Sequence, residues 1–288
     1  MVRRVHVTEE DWDHLIVLDG CRYDYFLKVH ASFLEGKLEK VVSVGSNTVE
    51  WRDNSFPGNY DDVVYVSANP HINSTVEVGG FRGGEHFHEV VDVWCWGWDR
   101  ELGTVHPSVV NEAALRARRE HPGRRLIVHY LQPHCPYIGY QPGRSGFPAQ
   151  EPASRTVLDG VGSDAHRQRL REKVYELISA ASSNPAMRRA GFLRKGLLWR
   201  LREVLGLPPE SPMDAARRAL GVAGLRHAYA GNLELVLEHV SELLNVLPGT
   251  VVVTSDHGDL LGEGGRFSHG YGRKDPLLLQ VPWFTVER

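Results

Sequence analysis

The sequence predicts a three-layer α/β/α sandwich with a mostly parallel central sheet. The 288 residues are 42% hydrophobic and 24% charged, which is the composition of a folded globular domain. Short runs rich in Val and Ile recur along the chain and are separated by helical or loop stretches, as expected of strands buried on both faces of a parallel sheet. The runs cover residues 15–19, 41–46, 63–69, 125–132 and 250–256.

Two helices are predicted from the spacing of apolar residues. Residues 107–119 open with a proline, which suits the first turn of a helix. From Leu225 onwards, apolar residues recur every three or four positions until Pro248 and Gly249 end the pattern before the last strand. A buried strand that follows a helix in this way is typical of an α/β sheet.

We expect a single domain over residues 1–288, because three-layer α/β enzymes reach this length with one core. Residues 139–165 are rich in Gly, Pro and Ser, and residues 166–220 have a helical pattern broken by prolines. The segment 139–224 is therefore predicted to be a helical insertion or lid within the domain.

Composition and charge exclude several classes of protein. Lysine and arginine (33) nearly balance aspartate and glutamate (36), and a net charge of -3 gives no reason to expect nucleic-acid binding. The three cysteines are widely spaced and encode neither a disulfide scaffold nor a zinc ribbon.

The location is expected to be cytoplasmic, since the N-terminus lacks an apolar signal core and no transmembrane run is present. Arg and Lys alternate with Leu and Trp over residues 187–202, as on an amphipathic helix. A solvated helix face and a peripheral contact with an anionic lipid surface or a partner both remain open for this segment.

The strongest motif is TSDHGDLLGE, residues 254–263. A buried strand runs directly into Asp256 and His257, and Gly258 permits a close approach. The turn at a strand end lets both side chains reach a common ion, so metal ligation is the natural use of this pair. The structural alternative is an aspartate that caps a following helix and a solvated histidine.

A second motif, LIVLDGCRYD at residues 15–24, delivers Asp19 to a strand end ahead of Gly20. An isolated aspartate in this position commonly belongs to a turn. Because ligands of open α/β sheets bind at the carboxyl edge, Asp19 is instead expected to join Asp256 and His257 there.

These motifs, together with HYLQPHCPY at residues 129–137, resemble the alkaline phosphatase superfamily. The similarity is to its sulfatase-like branch of arylsulfatases, phosphonate monoester hydrolases and phosphoglycerol transferases. The resemblance implies an alkaline phosphatase-like fold and a nucleophile that attacks phosphorus or sulfur while bound to a divalent ion. It also implies that Asp19, Asp256, His257 and the nucleophile hold this ion.

Thr48 is the expected nucleophile. In the family, the nucleophile follows the first aspartate after one β–α unit, and an arginine lies four residues beyond it, as Thr48 and Arg52 do in GSNTVEWR. Ser46 is the alternative, because it precedes Glu50 by four residues as in the phosphoglycerol transferases. Formylglycine is not expected, since threonine could give only a ketone, and an unmodified hydroxyl on a metal is the phosphotransfer arrangement.

The resemblance places three more residues at the ester. His134 matches a family histidine that touches the ester or leaving-group oxygen, and His269 falls where relatives carry Lys or His. Asn69 is placed like a family asparagine that binds a non-bridging oxygen. One divalent ion (Mn, Mg, Ca or Zn) is expected, because residues 49–255 contain no Asp-x-x-x-His pair for a second ion.

The expected activity is therefore metal-dependent hydrolysis of a phosphate or sulfate ester, on a small molecule, glycan or lipid, through a threonine nucleophile. The alternatives are a phosphoglycerol- or phosphoethanolamine-type transferase and a catalytically silent, anion-binding member of the fold. The silent alternative is favoured if the hydroxyls of Ser46 and Thr48 lie far from Asp256 and His257.

Overall fold

Residues 2–140 and 195–287 are described by a computed structural model, and their strands form one large sheet and two small hairpins. The strands are β1 (His14–Leu18), β2 (Lys37–Val42), β3 (Tyr60–Ser67), β4 (Phe87–Asp92), β5 (Trp98–Asp99), β6 (Thr104–Val105), β7 (Arg125–Tyr130), β8 (Thr250–Thr254), β9 (Leu260–Leu261), β10 (Phe267–Ser268) and β11 (Gln280–Glu287).

Within this part of the chain the main sheet has 7 strands in the order β2-β11-β8-β1-β7-β3-β4. β11 runs antiparallel to both of its neighbours, and the other pairings are parallel. The hairpins pair β5 with β6 and β9 with β10. The predicted runs therefore form strands of a mostly parallel sheet, which confirms the sequence-based fold class.

Helices cover both faces of the sheet. They are α1 (Tyr23–Val29), α2 (Thr48–Ser55), α3 (Gly83–His86), α4 (Val93–Trp96), α5 (Pro107–Glu120), α6 (Lys195–Val204), α7 (Pro212–Leu244) and α8 (Pro276–Leu279). The two helices predicted from periodicity are confirmed as α5 and the second part of α7. Gly221, with a φ of 68°, interrupts α7 where a side chain would be strained.

Burial on both faces explains why β1 is a continuous apolar run. Ile16 and Leu18 pack into the core formed with α5 and α7, whereas Leu15 and Val17 pack on the opposite face with Trp51 of α2. A strand that alternated apolar and polar residues could not fill both cores.

The predicted insertion at 139–224 is described only in part, because residues 141–194 lie outside the described residues. In the described part, Trp199 of α6 packs on Phe267 of β10 with 5.0 Å between ring centroids, and its indole donates to Glu210. The role of the segment as an insertion or lid stays a prediction. No helix in residues 2–140 and 195–287 combines the length and apolar character needed to cross a bilayer.

Asn232 of α7 ties this helix to the loop that follows β7. Its side chain is buried, accepts a hydrogen bond from the Ile138 amide at 2.8 Å, and donates to the carbonyls of His134 and Pro136 at 3.2 and 3.0 Å. One side chain thereby satisfies several backbone groups of a segment without regular structure.

We predict that Asn232→Ala lowers the free energy of unfolding by roughly 2 kcal/mol, because it leaves buried backbone groups without partners. Urea denaturation measures this change, with Asn59→Ala at an exposed position as the control. Equal denaturation midpoints for the two variants would contradict this role of Asn232.

Candidate active site

The carboxyl ends of β1, β3 and β8 meet at one edge of the sheet. Asp19 directly follows β1, Asn69 follows β3 and Asp256 follows β8. β1 pairs with β8 on one side, and β7 alone separates it from β3 on the other. The topology therefore brings residues from distant parts of the chain to the edge where α/β sheets bind ligands.

Three of the four predicted metal-binding residues lie around Nε2 of the fourth, His257. This nitrogen lies 3.4 Å from Thr48 Oγ1, 3.4 Å from Asp256 Oδ2 and 3.5 Å from Asp19 Oδ1. Thr48 Oγ1 also donates to Asp256 Oδ2 at 2.8 Å. All four side chains are buried.

The remaining polar atoms of these residues hold them in this orientation. Asp256 Oδ1 accepts hydrogen bonds from the amides of Gly20 and His257 at 3.0 and 2.9 Å. His257 Nδ1 lies 2.9 Å from the Gly258 carbonyl, which can only accept, so Nδ1 carries the proton. Burial opposes a charge on this ring, but the carboxylates of Asp256 and Asp19 outweigh it and raise the pKa of His257. Nε2 faces the site, where a bound metal ion would take the place of its proton.

The described residues satisfy the carboxylate of Asp19 only in part. Asn69 Nδ2 donates to Asp19 Oδ2 at 2.7 Å, but the buried Oδ1 has no hydrogen-bond partner among the described residues. Burial, followed by the repulsion of Asp256, raises the pKa of Asp19 to about 7. A cation among these atoms would satisfy the oxygen and offset the repulsion, so the three oxygen donors and one imidazole fit a divalent ion.

The structure separates the two candidate nucleophiles. Thr48 is the first residue of α2, where unpaired amides favour negative charge, and its hydroxyl lies among the predicted metal-binding atoms. Ser46 Oγ donates to Glu50 Oε2 at 2.7 Å and lies 2.9 Å from the Gly270 carbonyl, while the Arg273 amide donates to it at 2.9 Å. Ser46 therefore holds a neighbouring loop, and only Thr48 meets Asp256 and His257.

His134 and His269 lie on either side of Asp259, a residue that the sequence reasoning missed. His269 Nδ1 is 3.0 Å from Asp259 Oδ1, and His134 Nε2 is 3.7 Å from Asp259 Oδ2. The His269 ring also lies 4.2 Å from the His257 ring. The available signal was the aspartate three residues after Asp256 in the same motif.

This second group could itself hold an ion. Ligand atoms of His134, Asp259 and His269 lie within 4.8 Å of one another. Burial, and then His257, lower the pKa of His269 to about 4, so its ring is neutral and able to ligate. The expectation of a single ion rested on a sequence pattern that this group does not follow, and it stays a prediction.

The contacts of Arg52 are with residues beside the site, and its predicted part in catalysis stays a prediction. Its buried guanidinium donates to the His71 carbonyl at 2.7 Å, pairs with Asp53 at 2.7 Å and lies over the Phe81 ring. Because Arg52 lies four residues after Thr48 on α2, its side chain reaches the loop after β3 and anchors that loop.

Asn69 also has a supporting role. It donates to Asp19, and its Oδ1 atom accepts from the His71 amide at 2.9 Å. The asparagine therefore orients a proposed metal ligand, and its contact with a non-bridging oxygen of the substrate stays a prediction.

The fold is similar to that of solved phosphoethanolamine transferases. The integral membrane lipooligosaccharide phosphoethanolamine transferase EptA of Neisseria meningitidis superposes with a TM-score of 0.53 and 14% identity, over 99% of this chain and 48% of that one. The C-terminal periplasmic domain of EptC from Escherichia coli gives 0.51 and 9%, over 100% and 77%. A phosphonate monoester hydrolase from Silicibacter pomeroyi gives 0.46 and 14%, over 100% and 68%.

The chain thus spans about half the length of EptA. No known family model and no curated protein matches the sequence. At these identities, the likeness establishes a shared fold, and it confirms the alkaline phosphatase-like architecture predicted from the motifs.

The predicted cytoplasmic location is contradicted by this comparison. The similar EptC structure is a periplasmic domain, and EptA is an integral membrane protein. The sequence argument had relied on missing signals, which are weak evidence of location.

We predict that Asp256→Asn lowers the affinity for Mn²⁺ or Zn²⁺ by at least about 100-fold while the protein stays folded, because a proposed ligand carboxylate is lost from a preformed site. Calorimetric titration and the metal-induced rise in Tm measure this loss. Asp61→Asn, at an exposed carboxylate, is the control and should keep both signals. Undiminished binding in Asp256→Asn would place the metal elsewhere.

Proposed function

We propose that this chain is a metal-dependent enzyme that cleaves a phosphate ester by transferring the phosphoryl group to Thr48 and then to water. The observation that supports this proposal is the position of Thr48 Oγ1, 2.8 Å from Asp256 Oδ2 and 3.4 Å from His257 Nε2 at the start of α2. A catalytically silent, anion-binding protein would not require a hydroxyl among potential metal ligands.

Asp19, Thr48, Asp256 and His257 would hold the ion. When bound, a divalent ion supplies positive charge that lowers the pKa of an alcohol and shields the anionic ester oxygens. Sulfate esters are also expected substrates, and their cleavage would use the same positive charge. The buried, preoriented donors reduce the reorganisation required during the reaction.

The chain's own residues have distinct tasks in the first step. Asp256 orients the Thr48 oxygen through their hydrogen bond, and the amide end of α2 favours charge on that oxygen. The Thr48 oxygen passes its proton to Asp256 Oδ2 and forms a bond to phosphorus as the bond to the leaving oxygen, protonated by His134, breaks. In the second step, water attacks phosphorus and gives a proton to the now neutral His134, while the bond from phosphorus to Thr48 breaks and Thr48 regains its proton from Asp256.

His134 is placed to protonate the leaving oxygen. Burial opposes a charge on its ring, but contacts with Cys135 and the carboxylates of Asp19 and Asp259 outweigh this effect and hold the pKa of His134 well above its ordinary value. A protonated imidazole beside the site can donate to the departing alkoxide. His269 contacts Asp259 on the same side of the site.

A transferase is the second candidate, and the fold likeness to two phosphoethanolamine transferases favours it. In that reaction an alcohol would replace water in the second step, and the Thr48 chemistry would be unchanged. Turnover of an aryl phosphate with increasing glycerol separates the candidates: a transferase diverts product to the glycerol ester, and a hydrolase releases inorganic phosphate.

We predict that Thr48→Ala lowers turnover by at least about 1,000-fold, because the hydroxyl proposed as the nucleophile is removed. Thr48→Ser should retain measurable activity, since the oxygen is kept. The measurement is a screen of aryl phosphate monoesters, diesters, phosphonates and sulfates with Mn²⁺, Mg²⁺, Ca²⁺ and Zn²⁺.

The matched variant is Ser46→Ala. Intact-mass spectrometry of acid-quenched enzyme should show a phosphoryl adduct on the peptide that contains residues 46–52, and Ser46→Ala should keep this adduct while Thr48→Ala loses it. An adduct that disappears in Ser46→Ala alone would transfer the role to Ser46. Full activity in both single variants and in the double variant would refute a covalent intermediate.

We further predict that His134→Ala slows alkyl esters more than aryl esters, because a poor leaving group depends more on proton donation. The bound metal should stay at the wild-type stoichiometry, and His88→Ala, at an exposed histidine, should behave as wild type. Loss of metal in His134→Ala would make His134 a ligand, and equal losses for both ester types would argue against proton donation.

A further inference from the structure

The loop after His269, residues 270–274, carries an arginine beside the site. We propose that the guanidinium of Arg273 binds the anionic oxygens of the substrate and that the substrate is a dianionic phosphate monoester. This inference rests on the proposed function, because it concerns the same site.

The loop is fixed against the helix that carries Thr48. The Arg273 amide donates to Ser46 Oγ at 2.9 Å, and the Gly272 amide donates to Glu50 Oε2 at 3.2 Å. Ser46 Oγ also contacts the carbonyl of Gly270 at 2.9 Å. These contacts place the backbone of Arg273 next to the start of α2.

The guanidinium lies against Gly270, the residue after His269. Arg273 Nε lies 2.8 Å from the position that a Cβ atom would take at Gly270, so the side chain covers the residue that directly follows His269. The ring of His269 in turn lies 4.2 Å from the ring of His257. A glycine at position 270 is what permits this close approach.

Arg273 differs from neighbouring arginines in its ion pairs with acidic side chains. Arg22 pairs with Asp24 and Glu263, Arg52 with Asp53, and Arg266 with Asp275. The Arg273 side chain is exposed, and the ion pairs of the described residues include none with it. Glu50, the nearest acid on α2, is already bound by Ser46 and the Gly272 amide.

An accessible arginine without an acidic partner beside a phosphate site is suited to charge-assisted recognition of phosphate oxygens. A monoester carries two negative charges and a diester one. The positive charge of Arg273, added to that of a metal ion in the site, therefore favours the monoester.

The direct test is calorimetric titration of inorganic phosphate into the Mn²⁺-loaded full chain. Arg273→Gln should weaken phosphate binding about 10-fold, as loss of a charged hydrogen bond predicts, and Arg273→Lys should recover part of the affinity. Lys274→Gln removes the same charge one residue away, at another exposed position, and should stay within about 2-fold of wild type because exposed charges are screened.

The kinetic test compares aryl monoesters with aryl diesters. Arg273→Gln should raise KM for the monoester with a smaller change in kcat, and it should affect the diester less. Wild-type affinity for phosphate in Arg273→Gln, equal losses in Arg273→Gln and Lys274→Gln, or no phosphate binding by the wild type would overturn the inference.

The two proposals fail in different ways. Turnover that depends on Thr48 but not on Arg273 would leave the proposed function intact and reject the role of Arg273. Phosphate binding that depends on Arg273, without turnover of any ester, would reject the proposed function and retain the binding site.

Discussion

The burial of three carboxylates at one sheet edge is the constraint on which the rest of the site depends. Asp19, Asp256 and Asp259 are almost fully removed from solvent, and each would be costly without compensation. Backbone amides, Thr48, Asn69 and His269 supply hydrogen bonds, but within residues 2–140 and 195–287 Asp19 Oδ1 and Asp259 Oδ2 have none. A positively charged ligand beside these oxygens would compensate their burial.

Much of the surrounding polar structure supports these carboxylates. Arg52 holds the His71 carbonyl, the His71 amide binds Asn69, and Asn69 orients Asp19. A chain of buried hydrogen bonds therefore connects α2 with a proposed metal ligand. Networks of this kind fix a single arrangement because a partly satisfied network would be unfavourable.

The main strands and the Asp19, Asp256 and His257 cluster could be predicted because buried runs specify strands and the topology aligns their ends. Asp259 could not, since the direction of a side chain after a turn depends on contacts that its sequence spacing does not reveal. The helical spacing of Thr48 and Arg52 was correct, yet Asp53 and the His71 carbonyl draw the guanidinium away. Pairing of Ser46 with the 270–273 loop joins distant segments and had no local signal.

The position of β8 in the sheet has a consequence for biosynthesis. This strand lies between β1 and β11, so a nascent chain that ends before Thr250 exposes one edge of the hydrophobic strand β1. Unpaired strand edges promote association between chains. The ribosome must therefore release nearly all of the described sequence before the central sheet closes, and chaperone protection of β1 during this interval would limit aggregation.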